Sequence, residues 1–141
     1  MGRILAIDYG KKRCGVAATD ILRISANGLP TVDTPRLMDW LKEYCSREDV
    51  ERILLGEPKQ PNGAPSENLP RVRSFAGRIR KEFPDIPLEM VDERFTSVIA
   101  HREMIAGGFK KSDRQQKGRA DEMSAVLILT DWLQSKSNFS I

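Results

Sequence analysis

Histidine occurs once in this chain and cysteine twice. Cys14 and Cys45 fall in different predicted elements and lack metal-site spacing, so both read as small buried apolar residues. His101 lies in a predicted helix, far in sequence from the acids discussed below, which leaves it a structural or exposed role. Aromatic residues make up 6% of the chain, and Trp40 and Trp132 read as helix packing groups, not as platforms for stacked bases. No apolar run approaches the roughly 18 residues of a membrane helix. The first residues enter a strand directly, without a signal-peptide layout. Neither sign of charge dominates. Lys and Arg number 23 and Asp and Glu 20, a net +3, which permits a polyanionic partner without demanding one. No linker, repeat or low-complexity tract interrupts the chain. These absences point to a soluble cytoplasmic protein, with residues 1–141 forming one domain around one core.

What is present is a regular alternation of apolar runs and turns. Ile4–Asp8 reads as a short buried strand, Gly10–Arg13 as a turn, and Cys14–Thr19 as the second arm of a hairpin. Ile24–Val32 can continue the meander. Thr34–Pro35 reads as a helix start, with a capping hydroxyl followed by proline at the first helical position. Leu37, Met38, Leu41, Tyr44 and Cys45 then recur at helical spacing. Arg52–Gly56 is a short apolar strand, expected to run parallel to the first because a helix precedes it. A loop rich in proline and glycine, Glu57–Ser66, leads into a second helix with Leu69, Val72, Ala76, Ile79 and Phe83 on one stripe. Arg71, Arg73, Arg78, Arg80 and Lys81 lie off that stripe, as on an ordinary solvated helix face. Pro87–Asp92 is a fifth strand. Thr96 or Ser97 caps a third helix that stops at Gly107–Gly108. Phe109–Gly118 is polar, basic and aperiodic, and reads as a mobile loop. Arg119–Lys136 is a final helix, apolar on most sides. The order predicts an α/β fold, one five-stranded mixed sheet with helices on both faces.

Three carboxylates stand out because this order gathers them. Asp8 closes an apolar strand, where it packs poorly. Glu93 follows the fifth strand. Asp121 lies in the first turn of the last helix and shares a face with Ser124, Ala125 and Ile128 by spacings of three, four and seven. That small, apolar face should press on the sheet and turn Asp121 inward. If the first and fifth strands are parallel, Asp8 and Glu93 share one sheet edge. Clustered carboxylates repel unless cations fill the space between them, and hard oxygen donors suit Mg²⁺ or Mn²⁺. Two such ions about 3.5–4 Å apart can activate water and stabilise the leaving oxygen of a phosphodiester. Plainer readings exist: a turn residue for Asp8, a helix-dipole acid for Asp121, a surface acid for Glu93. Asp92 is a rival ligand, but it should point to the opposite side of its strand from Glu93.

The stretches "AIDYGKKRCGVAATD", "VDERFTS" and "RADEMSAVLIL" together resemble the YqgF family, also called RuvX. Its members are described as Holliday junction resolvases or as pre-16S rRNA nucleases. The resemblance covers essentially the whole chain. It implies a ribonuclease H-like fold and a metal-dependent nuclease of the bacterial cytoplasm. The family's three acidic positions carry over onto Asp8, Glu93 and Asp121 as catalytic residues and ligands for Mg²⁺ or Mn²⁺. Asp8 would serve both ions, and Glu93 and Asp121 one each. Where the family often has Gly-Leu-Pro, this chain has Gly56-Glu57-Pro58, so Glu57 could place a fourth carboxylate at the same edge.

Cations cluster near these acids. Lys11, Lys12 and Arg13 follow Asp8 in the turn, Arg94 follows Glu93, and Lys110 and Lys111 lie in the basic loop. All six are expected to hold substrate phosphates. The partner is then a structured nucleic acid, either pre-rRNA, with a ribosomal precursor particle as a candidate partner, or branched DNA. A junction cutter would favour a homodimer over a monomer. Two other functions compete. The "DYGKK" turn also resembles the phosphate loop of actin-like ATPases, but those bind nucleotide between two lobes and this length makes one. A non-catalytic RNA-binding or ribosome-assembly module would gain nothing from gathered carboxylates.

Overall fold

In a computed structural model, residues 2–58, 66–92 and 117–138 are described, the last stretch with side chains from Met123 to Lys136. Strands β1 (Arg3–Asp8), β2 (Arg13–Thr19) and β3 (Ala26–Asp33) form an antiparallel meander. Helix α1 (Leu37–Arg47), strand β4 (Val50–Glu57), helix α2 (Leu69–Glu82) and strand β5 (Leu88–Asp92) follow. Helix α3 (Lys117–Asn138) completes the described chain. The sheet order is β3-β2-β1-β4-β5, with β4 parallel to β1 and β5 parallel to β4. This is the expected mixed five-stranded sheet of a ribonuclease H-like fold.

β1 sits at the centre, and its sequence shows why. A strand covered on both faces cannot alternate polar and apolar residues, so it reads as a continuous apolar run. Leu5 and Ile7 face one core, with Leu37, Leu41, Ile53, Leu55, Val72, Phe75 and Ile79 from β4, α1 and α2. Ile4 and Ala6 face a second core, with Ala17, Leu54, Ala125, Ile128 and Leu129. Helices α1 and α2 therefore cover one face, and α3 covers the other. On the α3 side the facing residues at the middle are small, Ala6 and Ala17 against Ala125. Without long side chains between them, helix and sheet can pack closely.

Several local expectations change in the fold. The stripe of α2 includes buried Phe75, a residue that the spacing argument passed over. Cys14 is buried, but Cys45 is only half-buried, because it lies at the margin of the α1 stripe. Residues 117–118, expected in the basic loop, belong to α3. Helix boundaries depend on the first turn's backbone partners more than on residue propensity. α3 buries Ser124, Ala125, Ile128 and Leu129, while Met123 is exposed, so its burial is one-sided. The predicted helix between Thr96 and Gly107, and loop residues 109–116, lie outside the described residues.

Candidate active site

Asp8 is the last residue of β1 and only 8% exposed. Its face follows from register. Ile7 pairs with Leu55 on the α1/α2 side, so Asp8, one residue on, points to the α3 side. Its partner in β2 is Gly15, and the same register carried one step further sets it level with Gly56 of β4. Both flanking positions lack a side chain. The carboxylate at the end of the central strand thus has glycines as its neighbours on both adjoining strands, on the face that α3 covers.

Helix α3 presents Ser124 and Ala125 to that face, at 3% and 0% exposure. Asp121 precedes them by three and four residues in the same helix. The stripe predicted to press on the sheet does so, although the Asp121 side chain itself lies outside the described residues. Glu93, Arg94, His101, Lys110 and Lys111 also lie outside them. Among the described residues no three carboxylate, imidazole or thiol groups gather as a metal cage.

Glu57 and Asp92 pair across β4 and β5. Gly56 and Val91, the preceding pair, lie on the α3 face, so alternation sends Glu57 and Asp92 to the α1/α2 face. Both carboxylates stand at the right edge of the sheet, on the face opposite Asp8.

The turn after Asp8 is held by residues from distant elements. A Cβ on Gly10 would overlap the Arg13 carbonyl oxygen, so only glycine fits. The Gly10 carbonyl accepts the Thr34 hydroxyl at 2.7 Å, and the Lys12 carbonyl accepts the Thr34 N–H at 3.0 Å. Thr34 therefore does not cap a helix with its side chain. Residues Thr34–Arg36 form a 3-10 turn before α1, and the hydroxyl clamps the β1–β2 turn instead. A strand partner outcompetes the local cap because the meander ends with Thr34 beside Gly10. Lys11 and Lys12 project from this clamped turn into solvent, and Arg13 is half-buried.

Asn68 is a second residue that the sequence reading missed. Its Nδ2 donates to the Tyr9 carbonyl at 2.7 Å, and its Oδ1 is buried without a hydrogen-bond partner among the described residues. It pins the residue next to Asp8 from the start of α2. A polar residue just before a helix usually reads as a cap, and that local signal hid its long-range bond. The Tyr9 ring lies 4.9 Å from Phe75, and burial pushes its phenol above the ordinary value of 10.0.

α3 is tied to the far strands by one polar cluster. Trp132 Nε1 donates to Glu89 Oε2 at 2.7 Å, while Arg52 Nη1 meets Glu89 Oε1 at 3.2 Å. The Lys136 ammonium lies 5.4 Å from the Trp132 ring centre. Trp132 thus joins α3 to β4 and β5 at the strand that leads to Glu93. Trp40 stacks on Tyr44 at 4.9 Å, which confirms its packing role.

The family described as "RuvX: Holliday junction resolvase" matches residues 2–135. A protein of Phocaeicola vulgatus, named "Putative pre-16S rRNA nuclease", is 57% identical over 96% of this chain and 98% of its own length. Proteins with the same name from Bacteroides fragilis and Flavobacterium johnsoniae are 52% and 49% identical, each over 96% of this chain and 99% of their own. Among solved structures, YeaZ from Pseudomonas aeruginosa aligns at TM-score 0.45 and 17% identity, over 77% of this chain and 50% of that one. By the match of nearly its whole length, the chain belongs to the RuvX family.

Proposed function

We propose that this chain is a metal-dependent nuclease that hydrolyses phosphodiester bonds of structured RNA, with the 5′ end of pre-16S rRNA as substrate. The observation that carries this reading is the placement of Asp8. A carboxylate buried at the end of the central strand adds nothing to the apolar packing around it. It stands between Gly15 and Gly56, on the face toward which α3 turns the stripe that includes Asp121. The names of the close relatives support a precursor rRNA as the substrate, and such a substrate would set the place of action in the bacterial cytoplasm.

A hard oxygen donor flanked by two glycines fits Mg²⁺ or Mn²⁺, and Asp8, Glu93 and Asp121 would hold the ion. The metal supplies positive charge to the scissile phosphate and to the oxygen that leaves. The chain's own residues do the rest. Asp8 is fixed in position by β1, by the Thr34 clamp and by the Asn68 bond to Tyr9. Lys11 and Lys12, on the clamped turn, hold backbone phosphates, with Arg13, Arg94, Lys110 and Lys111 as further phosphate contacts. Residues 1–141 act as one nuclease domain.

The test is cleavage of labelled pre-16S rRNA and of a four-way DNA junction, each with Mg²⁺ or EDTA, by wild type and Asp8→Asn. Cleavage of the RNA that needs both the ion and Asp8 is expected. Cleavage of the junction alone would transfer the activity to DNA, and equal cleavage by Asp8→Asn would remove Asp8 from the site.

A further inference from the structure

Beside Asp8, on the other face of the sheet, lies a cleft of about 310 Å³ lined by Tyr9, Pro70, Arg71, Ser74, Phe75 and Arg78. Tyr9 is the next residue after Asp8, so cleft and carboxylate share one edge of the sheet, on opposite faces. Arg71, Ser74, Phe75 and Arg78 follow the helical spacing of three, four and seven along α2. They form a second stripe that shares Phe75 with the apolar stripe packed on the sheet. Tyr9 and Phe75 supply an aromatic floor with ring centres 4.9 Å apart. The Arg78 guanidinium lies over Phe75, 5.5 Å from the ring centre. Among the described residues no carboxylate pairs with Arg71 or Arg78. Both guanidinium charges also act on the Tyr9 phenol, against the effect of its burial.

Two guanidinium groups with no carboxylate partner among the described residues, a hydroxyl donor and an aromatic floor suit a nucleotide: charge for the phosphates, a ring for the base. We propose that this cleft holds the single strand of RNA that flanks the phosphate at Asp8. Arg71 and Arg78 hold its phosphates and Tyr9 lies against a base. The strand crosses the sheet edge beside the turn of Lys11 and Lys12. The cleft rests on the nuclease reading for its orientation, and it adds a positioning site that acts on substrate affinity.

The experiment measures anisotropy of a labelled single-stranded RNA with the Asp8→Asn protein as background. Arg71→Gln/Arg78→Gln keeps the aliphatic stem over Phe75 while removing both charges. Arg73→Gln/Arg80→Gln removes the same charge from the side of α2 away from the stripe. The cleft pair should weaken binding about ten-fold and flatten the log–log salt slope by about 1.4, from about 0.7 per lost phosphate contact on a single strand. The control pair should change affinity less than about two-fold, the scale of an exposed charge acting at a distance. Equal weakening by both pairs, unchanged affinity in the cleft pair, or no RNA binding at all would overturn the proposal. Cleavage of the same RNA by wild type against Asp8→Asn is read separately. Loss of that contrast would end the nuclease reading, while the two affinities would still judge the cleft.

Discussion

Glu89 is the residue through which α3 is fastened to the strands that lead to Glu93. Glu89→Ala removes two interactions at once: the Trp132 hydrogen bond at 2.7 Å and the Arg52 ion pair at 3.2 Å. A hydrogen bond to a charged group contributes about 1.5–3 kcal/mol, and an exposed ion pair about 0.2–1. The side chains of Arg52 and Glu89 are 36% and 34% exposed, so solvent screens the pair and the lower values apply. The loss should be about 2 kcal/mol, a fall in melting temperature of about 5–10 °C for a domain of this size. Trp132→Phe keeps a ring and loses the N–H. It should cost about 1.5 kcal/mol, because the Glu89 carboxylate keeps Arg52. A double-mutant cycle isolates the shared bond: urea unfolding of wild type, both single variants and the double variant should give a coupling of about 1 kcal/mol. Additive losses, with coupling below about 0.3 kcal/mol, would refute a direct bond. The nuclease reading adds that Glu89→Ala should lower cleavage well below the midpoint of unfolding, because α3 carries Asp121.

Gly10→Ala should destabilise by about 2 kcal/mol or more through overlap with the Arg13 carbonyl; a wild-type melting curve would refute the tightness of that turn. Thr34→Val should cost about 1 kcal/mol by removing the hydroxyl bond to Gly10, while Thr34→Ser should lose less. Equal losses in the two variants would show that the methyl group, not the hydroxyl, matters. Under the metal reading, Mg²⁺ should raise the melting temperature of wild type, and Asp8→Asn should lose most of that gain; identical responses would remove the ion from Asp8. Tyr9 and Tyr44, the only tyrosines, both have phenols raised above 10.0 by burial. Stability held by the neutral phenols is fully present below the unfolded value and is lost as pH rises through the raised folded values. Absorbance titration should show both rings ionising above pH 10 in the folded protein, and ordinary titration there would refute their burial.

Much of this fold is legible in the residues themselves because the signals are short-range. The apolar run Ile4–Ile7 requires a strand covered on both faces, Gly10 requires the tight turn, and the stripes of α1 and α2 declare their buried sides. The face of α3 that carries Asp121 follows from helical periodicity alone, and Ser124, Ala125 and Ile128 are buried as that spacing requires. Asp8 is conspicuous for the same reason, since a charge ending such a strand has no packing role. Other features depend on which strands become neighbours. Strand alternation already turns Asp92 away from Glu93, whereas Glu57 reads locally as a candidate for the same site, and only the register of β4 with β5 and β1 sends it to the opposite face. Thr34 and Asn68 carry the marks of helix caps, yet their side chains bond to Gly10 and Tyr9, residues 24 and 59 positions away. Glu89, Arg52 and Trp132 meet across 37 and 43 positions. Periodicity and propensity act over a few residues and so determine elements and their faces. A hydrogen bond between distant positions exists only once packing has chosen the sheet order, and here that order sets the clamp on the Asp8 turn and the cleft beside it.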